Sequence, residues 1–286
     1  MEQGIGLAIL GSALGSAKIL EKILGPTAEY IGGGIQSWTE QRVKNVSNIF
    51  ACTQKKIGDK IEEPGAIPPR VLKVVLDEGS FCSDPLAAEY FGGVLASSRS
   101  QVTRDDRGAS WLSLVARLSS YEVRSHYVFY RSIYDRFLGQ DFKFNLEDRG
   151  KLEVLMPFSS YFAAMEFTQD EMKYIDSILN HAFFGLYKEG LIETFVYGNA
   201  ENLKTQRPDK FEPPEEGGIL ATPSALGCEL FLWAHGYGSY SLGSILKLQF
   251  DIPVGMTPCH TVWSQEDLKP KKSEQDATDE VDNSHL

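Results

Sequence analysis

The chain has 286 residues, 42% hydrophobic and 23% charged, a composition ordinary for a globular protein of one large or two modest domains. Its formal net charge of −11 argues against nucleic acid as a partner, because affinity for nucleic acid depends on neutralising phosphates with cations. Cys52, Cys82, Cys228 and Cys259 form no close pair, so neither a CxxC redox motif nor a structural zinc site is suggested; free thiols in a reducing cytoplasm are expected.

Residues 1–25 form an apolar, glycine-rich leader. No charge falls between Gly4 and Ala17, yet the run is short of the roughly 20 apolar residues that span a bilayer. The only charge ahead of it is Glu2, whereas a secretory signal carries positive charge there, so the leader is expected to be retained. On a helical wheel Leu10, Ala13, Leu14, Ala17, Leu20 and Leu24 share one side. Gly4, Gly11, Gly15, Lys18 and Lys22 share another. Gly11 and Gly15 have the spacing that lets two helices approach closely. Two readings stay open: a core helix crossed closely by a neighbour, or a segment that meets the inner membrane or a second copy conditionally. Ile5, Leu7, Leu10, Gly11, Leu14, Gly15, Lys18 and Lys22 would carry the second reading, with a homo-oligomer as its consequence.

A helical domain is expected over 26–150. Trp38 to Ile61 has helix-spaced apolar residues and ends at the proline-rich turn 62–69. Pro69 suits the first turn of a helix over Arg70–Asp77, with Gly79 as its stop. Asp84 before Pro85 starts another, through Leu95. Helices over Ala109–Leu118 and Tyr121–Leu138 follow. Residues 99–136 carry seven arginines (Arg99, Arg104, Arg107, Arg117, Arg124, Arg131, Arg136) against four acids, a basic stretch in an acidic chain.

Residues 151–263 read as a second domain with a C-terminal extension. The stretch 152–167 is predicted to be a strand or extended crossover. Thr168 caps a helix running through Asn180, with a short turn before it continues to Lys188 and Gly190 as its stop. Leu191–Tyr197 reads as a strand, 198–218 as a long polar loop and 218–222 as a returning strand. A last helix starts at Pro223 or Ser224 and ends near His235. Helix, strand, loop, strand, helix is the order of a winged-helix unit. The fold class expected is therefore mainly α, a helical N-terminal domain followed by a small winged-helix-like α+β unit. The tail 264–286, with three lysines against seven acids, is expected to be disordered.

Three stretches resemble the abortive-infection alpha (Abi-alpha) family of bacterial phage-defence proteins: KILGPTAEYIGGGIQSWTEQRVKNVSNIF (18–50), PPRVLKVVLDEGSFCSDPLAAEYFGGVLASSRS (68–100) and LATPSALGCELFLWAHG (220–236). The resemblance covers about residues 18–240 and rests on general pattern without a catalytic signature. It implies a bacterial protein of defence against phage and carries no functional residues across; abortive infection in the cytoplasm, with a phage protein as trigger, is the expectation built on it.

Chemical signatures are few. The sequence has no GxxxxGK[ST], HExxH or GxSxG, and Gly32–Gly34 does not complete GxGxxG. Asp105 and Asp106 read as helix-start acids, and His126 as a core histidine on an aromatic face. Cys228 and His235 share a helix face, but adjacent Cys259 and His260 are poor ligand spacing, so no metal or cofactor is expected. On the winged-helix candidate the helix before the strand pair offers Asn180, His181 and Lys188 among apolar residues. A DNA-reading helix would be rich in Arg, Asn, Gln and Lys, so protein contact is favoured. The expected function is a non-enzymatic toxic effector that uses its leader on activation, either at the membrane or in assembly. The alternative is a winged-helix regulator or sensor binding nucleic acid or a phage protein.

Overall fold

A computed structural model describes residues 11–12, 17–25, 40–102, 104–142, 146–206, 212–253 and 255–269. It is mainly helical with one small antiparallel sheet. The helices are α1 (Ala17–Leu24), α2 (Glu40–Ile57), α3 (Pro69–Asp77), α4 (Pro85–Ser98), α5 (Arg107–Arg117) and α6 (Ser120–Phe137), then α7 (Leu146–Lys151), α8 (Phe158–Met165), α9 (Gln169–Met172), α10 (Ile175–Lys188), α11 (Ala200–Gln206) and α12 (Ala225–Ala234). The strands are β1 (Val154–Pro157), β2 (Ile192–Gly198), β3 (Gly218–Pro223) and β4 (Trp263–Ser264).

Helix starts follow local chemistry. Asp84 Oδ1 accepts from Ala87 N at 2.8 Å, with Pro85 at the first helical position, and so opens α4. Ser119 and Glu122 close a capping box on α6, and Thr168 and Glu171 do the same on α9. Gly190, at φ +71°, ends the turn after α10 in a conformation that favours glycine.

α4 is the central helix. Leu86, Tyr90, Phe91, Val94 and Leu95 are buried, and so are Gly92 and Gly93. A Cβ on Gly92 would lie 2.6 Å from Cys52 Cβ of α2, and one on Gly93 only 1.7 Å from Ala234 O of α12. These glycines let α2 and α12 cross α4 at backbone contact. One hydrophobic cluster runs from Leu20 to Cys259, so the two sequence halves share it.

The sheet has the order β2-β3-β1-β4, antiparallel throughout. It pairs Val154 with Ala221 on one side of β1 and with Ser264 on the other. Leu155, Leu203, Leu220 and Leu268 form a smaller second cluster.

Four expectations need correction. The stretch 152–167 is a strand only to Pro157; Phe158–Met165 is helix. Phe158, Tyr161, Phe162 and Met165 carry helical spacing, but over only two turns and with only Ser159 and Ser160 as polar residues, too short a run to outweigh the extended reading. The break before α10 lies at 173–174 rather than after Asn180, because the capping box makes α9 a separate short turn. The expected loop 198–218 holds α11. Residues 264–269, expected to belong to the tail, are placed: Ser264 pairs with β1, Leu268 is buried, and Asp267 pairs with Arg136 at 3.0 Å; the rest of the expected tail lies outside the described residues. Composition missed this because one buried leucine and one strand pair anchor a polar segment.

Candidate functional site

The sequence nominates two surfaces, the leader and the helix α10. Of the leader residues, Ile5, Leu7, Leu10, Leu14 and Gly15 lie outside the described residues. Gly11 is helical and buried. Lys18 and Lys22 are exposed. Lys22 pairs with Glu62 on the surface, and its carbonyl accepts from Arg99 Nε at 3.2 Å. Between these lysines the helix turns inward: Leu20, Ile23 and Leu24 of α1 are all 0% exposed and belong to the main core. No helix among the described residues is long and apolar enough to cross a membrane.

α10 buries Ile178, Leu179, Ala182, Phe183 and Leu186. This spacing leaves Ser177, Asn180, His181, Phe184, Tyr187 and Lys188 on the outer face. Asn180 Oδ1 accepts from Tyr197 OH of β2. Lys188 projects into solvent, with Nζ 3.9 Å from Glu189 Oε1. Phe184 is 58% exposed and Tyr187 54% exposed. Both lean on half-buried Phe195, with ring centroids at 5.1 and 6.0 Å, and Phe195 stacks on Tyr197 at 6.3 Å. β2 is the end strand of the sheet, so an aromatic patch borders a strand edge with no neighbour among the described residues. Sequence reading found the helix but listed its polar residues; the signal for the patch was the phenylalanine and tyrosine interrupting a polar face.

His181 sits where α10 meets α6. Its Nε2 lies 2.8 Å from Ser119 Oγ and 3.5 Å from Glu122 Oε2. Serine, histidine and glutamate therefore meet, but not as a catalytic triad. Both partners approach the same ring nitrogen, whereas an orienting carboxylate must hold the other one. Glu122 is committed to its capping box, where Oε2 accepts from Ser119 N at 2.6 Å. Gly185 permits this crossing, since a Cβ there would lie 1.8 Å from Glu122 Oε1.

The remaining nominees are structural. Asp105 pairs with Arg107 at 2.8 Å and Asp106 with Arg70 at 3.0 Å; the Arg107 hydrogen bond holds the Asp105 carboxyl below its usual range. His126 is fully buried. Its Nε2 donates to Gly227 O at 3.1 Å, which leaves Nδ1 to accept from Tyr90 OH at 2.7 Å. Burial pushes its pKa down to about 3, so the ring is neutral. His235 Nδ1 donates to Phe231 O at 2.7 Å, and burial, with help from Lys56, takes its pKa to about 3 as well. Burial raises the Cys228 thiol well above its ordinary value. Among the described residues no three His, Cys, Asp or Glu side chains are grouped to hold a metal ion.

Comparison with protein-family models, with curated proteins and with solved structures finds no match.

Proposed function

We propose that the chain serves antiphage defence by abortive infection as a non-enzymatic protein that engages a protein partner through the α10–β2 face. The exposed pair Phe184 and Tyr187 beside Phe195 carries this reading. Aromatic anchors at the centre of a patch dominate protein interfaces. The β2 edge, which has no paired strand among the described residues, adds backbone donors and acceptors for an extended segment of the partner. Phage protein is the partner class that the resemblance to the Abi-alpha family supplies, and a bacterial cytoplasm is the setting.

A winged-helix arrangement for 154–234 is part of the proposal. The β2-β3-β1 strand order and the placement of α10 just ahead of the β2–β3 pair support it. Within it α10 occupies the position of a reading helix. It contains no arginine and exposes aromatic rings, which favours protein over DNA.

The test is a phage-protection assay in bacteria expressing the full chain. Phe184→Ser with Tyr187→Ser is expected to abolish protection while the purified variant keeps its Tm. Protection retained by a stable double variant would overturn the reading.

The toxic-effector reading, with the leader moving to the inner membrane or to a second copy, remains a second proposal. What favours it is that the only ion pair of α1 among the described residues, Lys22–Glu62, is exposed and of little worth; the Arg99 bond to Lys22 O and the Ile67 N bond to Leu24 O would have to break. Its condition is withdrawal of Leu20, Ile23 and Leu24 from the core. Partition of the full chain into anionic liposomes, lost on Leu20→Asp, is the expected result; no partition under any condition that triggers toxicity would sink it.

A further inference from the structure

Five of the seven arginines of the basic stretch are matched by carboxylates: Arg107 by Asp105, Arg117 by Glu189, Arg124 by Glu166, Arg131 by Asp135 and Arg136 by Asp267. Arg99 is built differently. Its guanidinium donates to the carbonyls of Lys22, Lys60, Ile61 and Glu63, at 2.6 to 3.2 Å, and no carboxylate lies within ion-pair distance among the described residues. Burial works against its charge, and Glu63 offsets that only from a distance.

Arg99 lines an open cleft of 440 Å³ between the C-terminal ends of α2, α4 and α12, a size in the range of small-molecule sites. Four cations, Lys56, Lys60, Arg99 and Arg107, share its wall with two acids, Glu63 and Asp105. Lys56 is matched by Glu89 at 2.7 Å and Arg107 by Asp105, whereas Lys60 has no ion pair among the described residues. α5 also begins at this cleft; its N-cap residue Asp106 makes no side-chain cap, and Asp105 Oδ1 accepts from Arg107 N at 3.5 Å. Tyr237 supplies an aromatic wall. In a chain of net charge −11, the lining carries four cations against two acids.

We infer that this cleft binds a phosphorylated small molecule, with Lys60 as the main phosphate contact and the N–H groups of Arg99 and Arg107 not spent on the carbonyls and on Asp105 beside it. Arginine and lysine together suit phosphate oxygens, the planar guanidinium giving directed bonds and the ammonium a mobile point charge. Because Arg99 also holds Lys22 O, the same side chain that meets the ligand is a contact of α1.

The experiment uses the full chain and two probes, sodium tripolyphosphate and ATP, titrated calorimetrically at low ionic strength. Saturable binding is expected, reduced at least tenfold by Lys60→Glu and by Arg107→Glu. Both changes fall on exposed side chains, so the fold is expected to survive; Tm is measured alongside. Lys44→Glu is the control for net charge. It is exposed on α2, about 18 Å along the helix from Lys56 at 1.5 Å per residue. Binding of both probes assigns the phosphates alone; binding of ATP only adds the nucleoside to the ligand; binding of tripolyphosphate only points to an inorganic polyphosphate. Absence of saturable binding for either probe, or equal losses in Lys44→Glu and Lys60→Glu, overturns the site. Neither result bears on Phe184 and Tyr187, so the cleft and the α10 face fail or stand separately.

Discussion

Ile23→Ala tests whether the leader is part of the cooperative core. Ile23 is 0% exposed and sits between Leu20 and Leu24, also fully buried, on a helix packed against α2 and residues 58–62. Truncating a buried isoleucine to alanine costs about 2–5 kcal/mol, from lost transfer energy and the cavity left behind. Whole domains are stable by only about 5–15 kcal/mol. That loss is felt globally only if α1 unfolds together with the rest. If α1 detaches on its own, the global cost is capped at the free energy that docks it. The inward leucines, the Arg99 bond to Lys22 O and the bond from Ile67 N to Leu24 O at 3.4 Å point to cooperative docking. Chemical denaturation is therefore expected to show a loss of about 2–5 kcal/mol for Ile23→Ala. Hydrogen exchange should show residues 19–24 protected in the parent chain. A shift under about 0.5 kcal/mol, the size of a neutral surface change, with unprotected amides over 19–24, would refute core docking. The toxic-effector proposal would then gain what the core reading lost.

Other outcomes follow from single contacts. Gly93→Ala places a methyl group on the Ala234 carbonyl, and overpacking of this kind costs about 1–3 kcal/mol or more, read as a fall in the denaturation midpoint. Deleting 270–286 should leave Tm unchanged, whereas deleting 263–286 removes β4 and buried Leu268 and should lower it; equal effects would contradict the placement of Leu268. His126 and His235 have folded pKa values near 3 against 6.5 unfolded, so the unfolded chain binds more protons between those values. Stability is then complete above pH 6.5 and falls as pH drops toward 3, by about 2 kcal/mol per histidine at pH 5. A parent chain with equal stability at pH 5 and 7.5 would refute the neutral buried state. Asp105→Asn with Asp106→Asn breaks two exposed ion pairs and should cost about 0–1 kcal/mol each. Selective loss of phage protection in that folded variant would mark a hydrolytic site.

Sequence alone determined the elements with strong local chemistry. Asp84–Pro85, Ser119 with Glu122, Thr168 with Glu171 and Gly190 each fix a helix boundary through one cap or turn, and those boundaries were legible within a residue or two. The hydrophobic spacing of α2, α5 and α6 likewise marked those segments as helices. What only the tertiary structure decided depends on distant neighbours. Phe158–Met165 is helical rather than extended because Tyr161, Ala164 and Met165 find buried places in the core, which an eight-residue run does not reveal by itself. Trp263–Ser264 is a strand only because β1 offers an open edge. From sequence Arg99 is one of seven arginines in a basic stretch, with no partner assigned; four carbonyls from two separate segments make it a clamp. His181 meets Ser119 and Glu122 across about 60 residues of chain, and the triad-like set fails on which ring nitrogen is approached, a fact of geometry that no spacing encodes. Periodicity reports the face a helix can bury; it does not report what that face will meet.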